Sequence, residues 1–145
     1  MILSQQQLFS SAQLITGTAL STNIIDLGVA ATPFKGAAAL HNDKGKGTVV
    51  PILIQCVSNF NTLTSLTVTI EVSPNADMSA STVLATEVIL LAALVAGKQT
   101  FVQVLPTGAD KRYLAVRYTV GGTDPTLGAM TAGVTMGNQT NVTGA

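Results

Sequence analysis

Leu66-Thr67-Val68-Thr69-Ile70-Glu71-Val72 alternates apolar and polar residues without a fault. Successive side chains of a strand point to opposite faces, so Leu66, Val68, Ile70 and Val72 share a core face while Thr67, Thr69 and Glu71 point outward. No helix accommodates that pattern. Further along, Arg112-Tyr113-Leu114-Ala115-Val116-Arg117-Tyr118-Thr119-Val120 follows the same logic, with Leu114, Val116, Tyr118 and Val120 inward, and its Thr, Tyr and Val content adds β propensity. Weaker alternations lie at residues 25–29, 101–105 and 130–136. Residues 49–57 form a run apolar on both faces, with Pro51 near its start, where a missing N–H costs least. Residues 82–96 could place Val83, Leu84, Glu87, Val88, Leu91 and Leu94 on one helical face. The β-branched residues in that stretch favour a strand over 83–90 and a turn ending at Gly97.

Between these runs stand turn signals: Pro74-Asn75-Ala76-Asp77, Pro106-Thr107-Gly108-Ala109-Asp110 and Gly121-Gly122-Thr123-Asp124-Pro125. Seven or eight strand candidates at short spacing predict an all-β protein, an antiparallel sandwich or barrel. No period of 20 to 50 residues recurs, which excludes solenoids and propellers.

Composition narrows the function. Of 145 residues, 47% are hydrophobic and 10% charged, seven basic against seven acidic, so the chain can build a core and is not a disordered one. Five Lys and two Arg at zero net charge argue against a nucleic-acid partner, which needs clustered cations. Twenty Thr supply a polar surface without charge. The longest apolar run, residues 88–96, falls far short of the ~20 residues needed to span a bilayer, so no membrane partner is expected. The N-terminus lacks the pattern of a secretory signal, and synthesis in a cytoplasm is expected.

The rare residues offer little chemistry. A single Cys, Cys56, lies in an apolar run and reads as a small buried hydrophobe. The single His, His41, sits in a Gly/Lys-rich loop. A catalytic or metal pair with Asp43 competes with an exposed loop histidine, and the loop reading is favoured. Gly45-Lys46-Gly47-Thr48 lacks the spacing of a phosphate-binding loop, and the carboxylates are scattered singly. The expectation is no catalytic, cofactor or metal site, and no enzyme.

The ends differ from the middle. Residues 1–22 are free of charge and carry a thread of Leu8, Phe9, Leu14 and Ile15, which suggests an extended N-terminal arm lying along a partner. Residues 137–145 read as a mobile tail. The loop from Thr32 to Gly47 carries Lys35, Lys44 and Lys46, three of the seven basic residues, and is the other candidate contact.

Several of these words occur together in one family. Leu8-Phe9-Ser10-Ser11-Ala12-Gln13 and the segment from Thr18 to Gly28 resemble the amino-terminal pattern of the Bordetella-phage-type (Bbp16-like) capsid cement, or decoration, proteins of tailed bacteriophages. Thr82-Val83-Leu84-Ala85-Thr86, Leu105-Pro106-Thr107-Gly108, the segment from Arg112 to Thr123 and Thr131-Ala132-Gly133 are similar to that family in the same order. The resemblance implies one jelly-roll domain over residues 1–145, of about eight strands, on the outer surface of a phage head in the virion. There it would bridge subunits of the major capsid protein without covalent bonds and contact other copies of itself as a homodimer or homotrimer. The competing class is a β-sandwich module binding carbohydrate or another surface ligand. The lack of Trp, with only Tyr113 and Tyr118, counts against it, because sugar sites rely on aromatic platforms.

Overall fold

A computed structural model describes residues 3–31, 36, 43–47, 49–100 and 104–137. They form two antiparallel sheets packed face to face. The smaller contains β1 (Leu3–Leu14), β8 (Ala129–Thr135) and β4 (Ile52–Ser58) in the order β1-β8-β4. The larger has the order β2-β7-β5-β6, from β2 (Ala19–Leu20), β7 (Tyr113–Gly122), β5 (Leu63–Ser73) and β6 (Thr82–Leu90), with β3 (Ile25–Asp26) also paired to β7. A short 3-10 turn, Leu91–Ala93, follows β6.

The alternating residues of β5 and β7 build the core as expected. Leu66, Val68, Ile70 and Val72 meet Leu114, Val116 and Tyr118 in one cluster with Phe9, Ile52, Ile54, Cys56, Met130 and Ala132 of the smaller sheet. One polar thread crosses that core: Tyr118 donates to Ser10 Oγ (3.0 Å), which donates to Gln13 Oε1 (2.7 Å). Burying the phenol ring is favourable only because its O–H keeps a partner.

The N-terminal residues depart from the expected arm. β1 is a strand of the smaller sheet, paired along β8 from Leu3↔Thr135 to Leu14↔Ala129. Phe9 and Ile15 are fully buried in the core, so they are not partner contacts: an apolar face wide enough to need covering takes them first. The weak alternation at 25–29 contracts to β3, since Gly28 has a left-handed φ of 79° and its N–H turns back to Asp26 Oδ1 (2.8 Å). In the expected strand at 101–105, residues 101–103 lie outside the described residues, and Val104 forms a bridge with Pro51. Nearly all of the expected mobile tail also lies outside the described residues; of the tail only Gly137 is described.

Candidate interaction surface

The edges of the two sheets are managed differently. From Leu8 to Gln13 the outer edge of β1 is covered by residues 20–23: Asn23 N and Nδ2 donate to Phe9 O (2.9 Å) and Leu8 O (2.7 Å), and Gln13 Nε2 donates to Leu20 O (2.8 Å). Along β4, Cys56 N donates to Lys98 O (2.8 Å), Gly97 N to Cys56 O (2.8 Å) and Thr100 N to Ile54 O (3.0 Å). β7 is flanked by β2 and β3. Among the described residues β6 pairs only with β5, leaving one long edge open.

That edge has a definite chemistry. Ile70 faces Ala85 and Glu71 faces Val83, so Leu84 is an extra residue, a bulge that ends the regular register. From Ala85 to Leu90 the strand is regular. Thr86, Val88 and Leu90 point to the outer face, and Val83, Val88 and Leu90 are exposed at 50%, 59% and 63%. Exposed edges are usually blunted by Lys or Pro, and β6 has neither. A shallow groove of about 200 Å³ runs beside it, lined by Glu87, Val88, Ile89, Leu90, Ala93 and Lys98.

The outer face of the larger sheet is Thr-rich, as the alternation predicts, but its centre is not solvated. Glu71 is buried beside Arg117, whose Nε and Nη2 donate to Oε1 (2.8 Å) and Oε2 (3.0 Å), while Thr69 Oγ1 donates to Oε1 (2.8 Å). Burial pushes the Glu71 carboxyl up, yet hydrogen bonds from Arg117, Thr69 and Ser81 outweigh it and hold it below the usual glutamate range. Sequence inspection places Glu71 outward and misses its burial, since its partner is 46 residues away. Nearby, the turn after β5 is tied down by Ser73, whose hydroxyl donates to Ser79 O (2.6 Å).

The residues singled out in the sequence disperse. Leu14 is exposed at one end of the sandwich, where the Ile15 N–H bonds to Gly128 O (3.1 Å) and sets it near exposed Leu127. Leu8 is half-buried and lies over Gly133 on the outer face of the smaller sheet. Lys44 and Lys46 are exposed on a loop that Asp43 pins down: Oδ1 accepts Gly45 N–H (3.0 Å) and Oδ2 accepts Gly108 N–H (3.0 Å). Those bonds commit Asp43 to the loop. Lys35 and His41 lie outside the described residues.

Cys56 is buried, its thiol donates to Ser58 O (3.1 Å), and desolvation pushes its pKa up, which makes it a poor nucleophile. Among the described residues no three His, Cys, Asp or Glu side chains cluster to hold a metal, and no helix is long and apolar enough to cross a membrane. Tyr118 is buried, and Tyr113 is half-buried with the Arg112 guanidinium 5.1 Å from its ring centroid. Neither tyrosine offers an open platform for a sugar ring.

Compared with known families, residues 9–134 match the profile of one described as Bbp16. No curated protein matches the chain. Among solved structures, the "PBSX exported protein XepA" aligns over 100% of this chain and 44% of its own, with 17% identity and a TM-score of 0.42. The chain thus spans less than half of that protein's length.

Proposed function

The chain belongs to the Bbp16 family and is a phage-related protein, and from that premise we propose that it is a structural capsid cement protein. In this reading it sits on the outer surface of a tailed-phage head, bridges subunits of the major capsid protein and stabilises the shell without covalent bonds. The family match over residues 9–134 carries the reading.

The geometry supports it in physical terms. A cement protein resists outward pressure through many repeated weak contacts rather than one strong one, since linked contacts raise avidity without adding affinity to any of them. The exposed side chains suited to that work are Leu14 with Leu127 at one end, Lys44 and Lys46 on the pinned loop, and the β6 edge. A neutral, Thr-covered surface lets copies crowd on a shell where like charges would repel. Lateral contact between copies, as a homodimer or homotrimer, belongs to the same proposal.

The test is binding of purified protein to emptied or expanded heads of the phage that encodes it. A fixed ratio to major capsid protein, with heads that rupture at a higher temperature once the protein is bound, supports the reading. Absence of the protein from purified particles by mass spectrometry overturns it.

A further inference from the structure

We propose that the outer face of the smaller sheet, β1-β8-β4, is the surface that lies against the major capsid protein, and that the capsid patch it covers is uncharged. The inference rests on the cement reading above and names the face and the chemistry of its partner.

The two outer faces of the sandwich are chemically unlike. β1, β8 and β4 contain no charged residue, whereas β5 carries Glu71, β6 Glu87 and β7 Arg117. The larger sheet turns Thr67 and Thr119 outward beside the Glu71–Arg117 pair, which suits contact with water. The smaller sheet turns leucine and valine outward instead. In β4, Ile52, Ile54 and Cys56 enter the core, so Leu53, Gln55 and Val57 take the other face. A strand apolar on both faces is the pattern of one covered on both, and the sandwich covers only the inner face.

The chain itself covers part of the outer one. Leu8 crosses Gly133, which stands between it and Leu53 in the register, and Leu53 is buried. Beyond that row the cover stops: Val57 is 39% exposed, and Leu14, opposite Ala129 at the end of the sheet, is exposed as well. The polar groups between the two rows are an amide and a hydroxyl, Gln55 opposite Thr131.

Such a face meets a charged patch at a loss, because it strips water from the charge and returns no counter-charge. Against a neutral patch it buries its remaining apolar area without that penalty. Its size favours a shell over a second copy. Three strands ~4.8 Å apart and seven residues at ~3.4 Å each outline roughly 15 Å by 24 Å, about 350 Å². Even doubled for side-chain relief, that area stays below the ~800 Å² per partner of a stable protein pair. A contact too small to hold two free copies together still holds a molecule on a lattice that repeats it, since each further contact forms at high effective concentration.

The experiment uses the full chain and emptied heads of the phage that encodes it. Val57→Lys is expected to weaken head binding by about tenfold or more with an unchanged melting temperature, because it buries a charge against a neutral partner. Val57→Thr, uncharged and of similar size, is expected to bind nearly as the wild type does. Thr119→Lys, exposed on the opposite face, is expected to leave binding unchanged. In Leu14→Cys and Thr119→Cys variants, maleimide labelling is expected to slow on heads at position 14 and not at 119, while buried Cys56 stays silent. Equal losses from Val57→Lys and Thr119→Lys, or labelling of position 14 on heads at the free rate, overturn the proposal. So does a free chain that sediments as a dimer and falls to monomers on Val57→Lys, which gives the face to a second copy. The cement reading is scored separately: protein bound to heads with position 14 still reactive refutes the docking face alone, and wild type that fails to bind heads refutes the cement reading and the docking with it.

Discussion

Arg117 holds Glu71 with two hydrogen bonds of 2.8 and 3.0 Å across the β5–β7 ladder, on the face of the larger sheet that points away from the core. The carboxylate side chain is 4% exposed and the arginine 31%, so the two partners are not equivalent. Removing the arginine strands a buried charge, while removing the glutamate leaves a cation that water can reach. Arg117→Ala is expected to cost about 2 kcal/mol, discounted from the ~3–5 kcal/mol of a fully buried pair, and Glu71→Gln less. Urea denaturation of both variants at neutral pH checks the order.

The same pair sets a pH dependence. Folding holds the Glu71 carboxyl below its unfolded value, so its contribution is complete above the ordinary glutamate range near ~4.3 and drains away as pH falls through the lower folded value. Glu71→Gln is expected to flatten that part of the acid limb. A wild-type and a Gln variant that lose stability in parallel below pH ~5 would show that the pair contributes nothing there.

Phe9 and Leu14 lie five positions apart on one strand and have opposite fates, one in the core and one 68% exposed. Phe9→Ala is expected to cost ~3–5 kcal/mol, whereas Leu14→Ala leaves stability within about 0.5 kcal/mol and weakens head binding. Deleting the first strand therefore lowers the melting temperature before any effect on binding can be read. Thermal unfolding beside a head-binding assay separates the two roles.

Gly133 lets Leu8 cross it: a Cβ there would stand 2.8 Å from Leu8 Cδ2 and 3.2 Å from Gln7 O. The backbone contact cannot yield without moving β1 away from β8. Gly133→Ala is expected to destabilise by ~1–3 kcal/mol, and pairing it with Leu8→Ala to recover only part of the loss. Full recovery in the double variant would show that the side chain alone is in the way.

What was legible in the sequence follows from how each strand is buried. β5 and β7 keep a core face over seven or more residues, and strict alternation announces them. β1 does not alternate. Its pairing shifts register three times, Ala12 takes a left-handed φ of 46°, and Phe9 and Ser10 are buried in succession, so its period of two is lost and it reads as an arm. Lys44 and Lys46 were legible as exposed from the glycines around them. The openness of β6 was not, because it depends on which strand lies beside which, and nothing local to residues 82–90 encodes that.

Tyr118 reports on the core that joins the sheets. Burial raises its pKa to about 12, only partly offset by the hydrogen bond with Ser10. The unfolded chain ionises this phenol near ~10, so the stabilising difference is present below that value and is lost as pH rises through the folded one. Absorbance titration is expected to show one phenol that resists ionisation until about pH 12, and alkaline unfolding to begin between those values. Tyr118→Phe removes the titration but leaves Ser10 Oγ without its donor, at a cost of about 1 kcal/mol near neutrality. The variant should then overtake the wild type at high pH, where it has no proton to lose. If the two stability curves never cross, the alkaline limb belongs to other groups and Tyr118 does not set it.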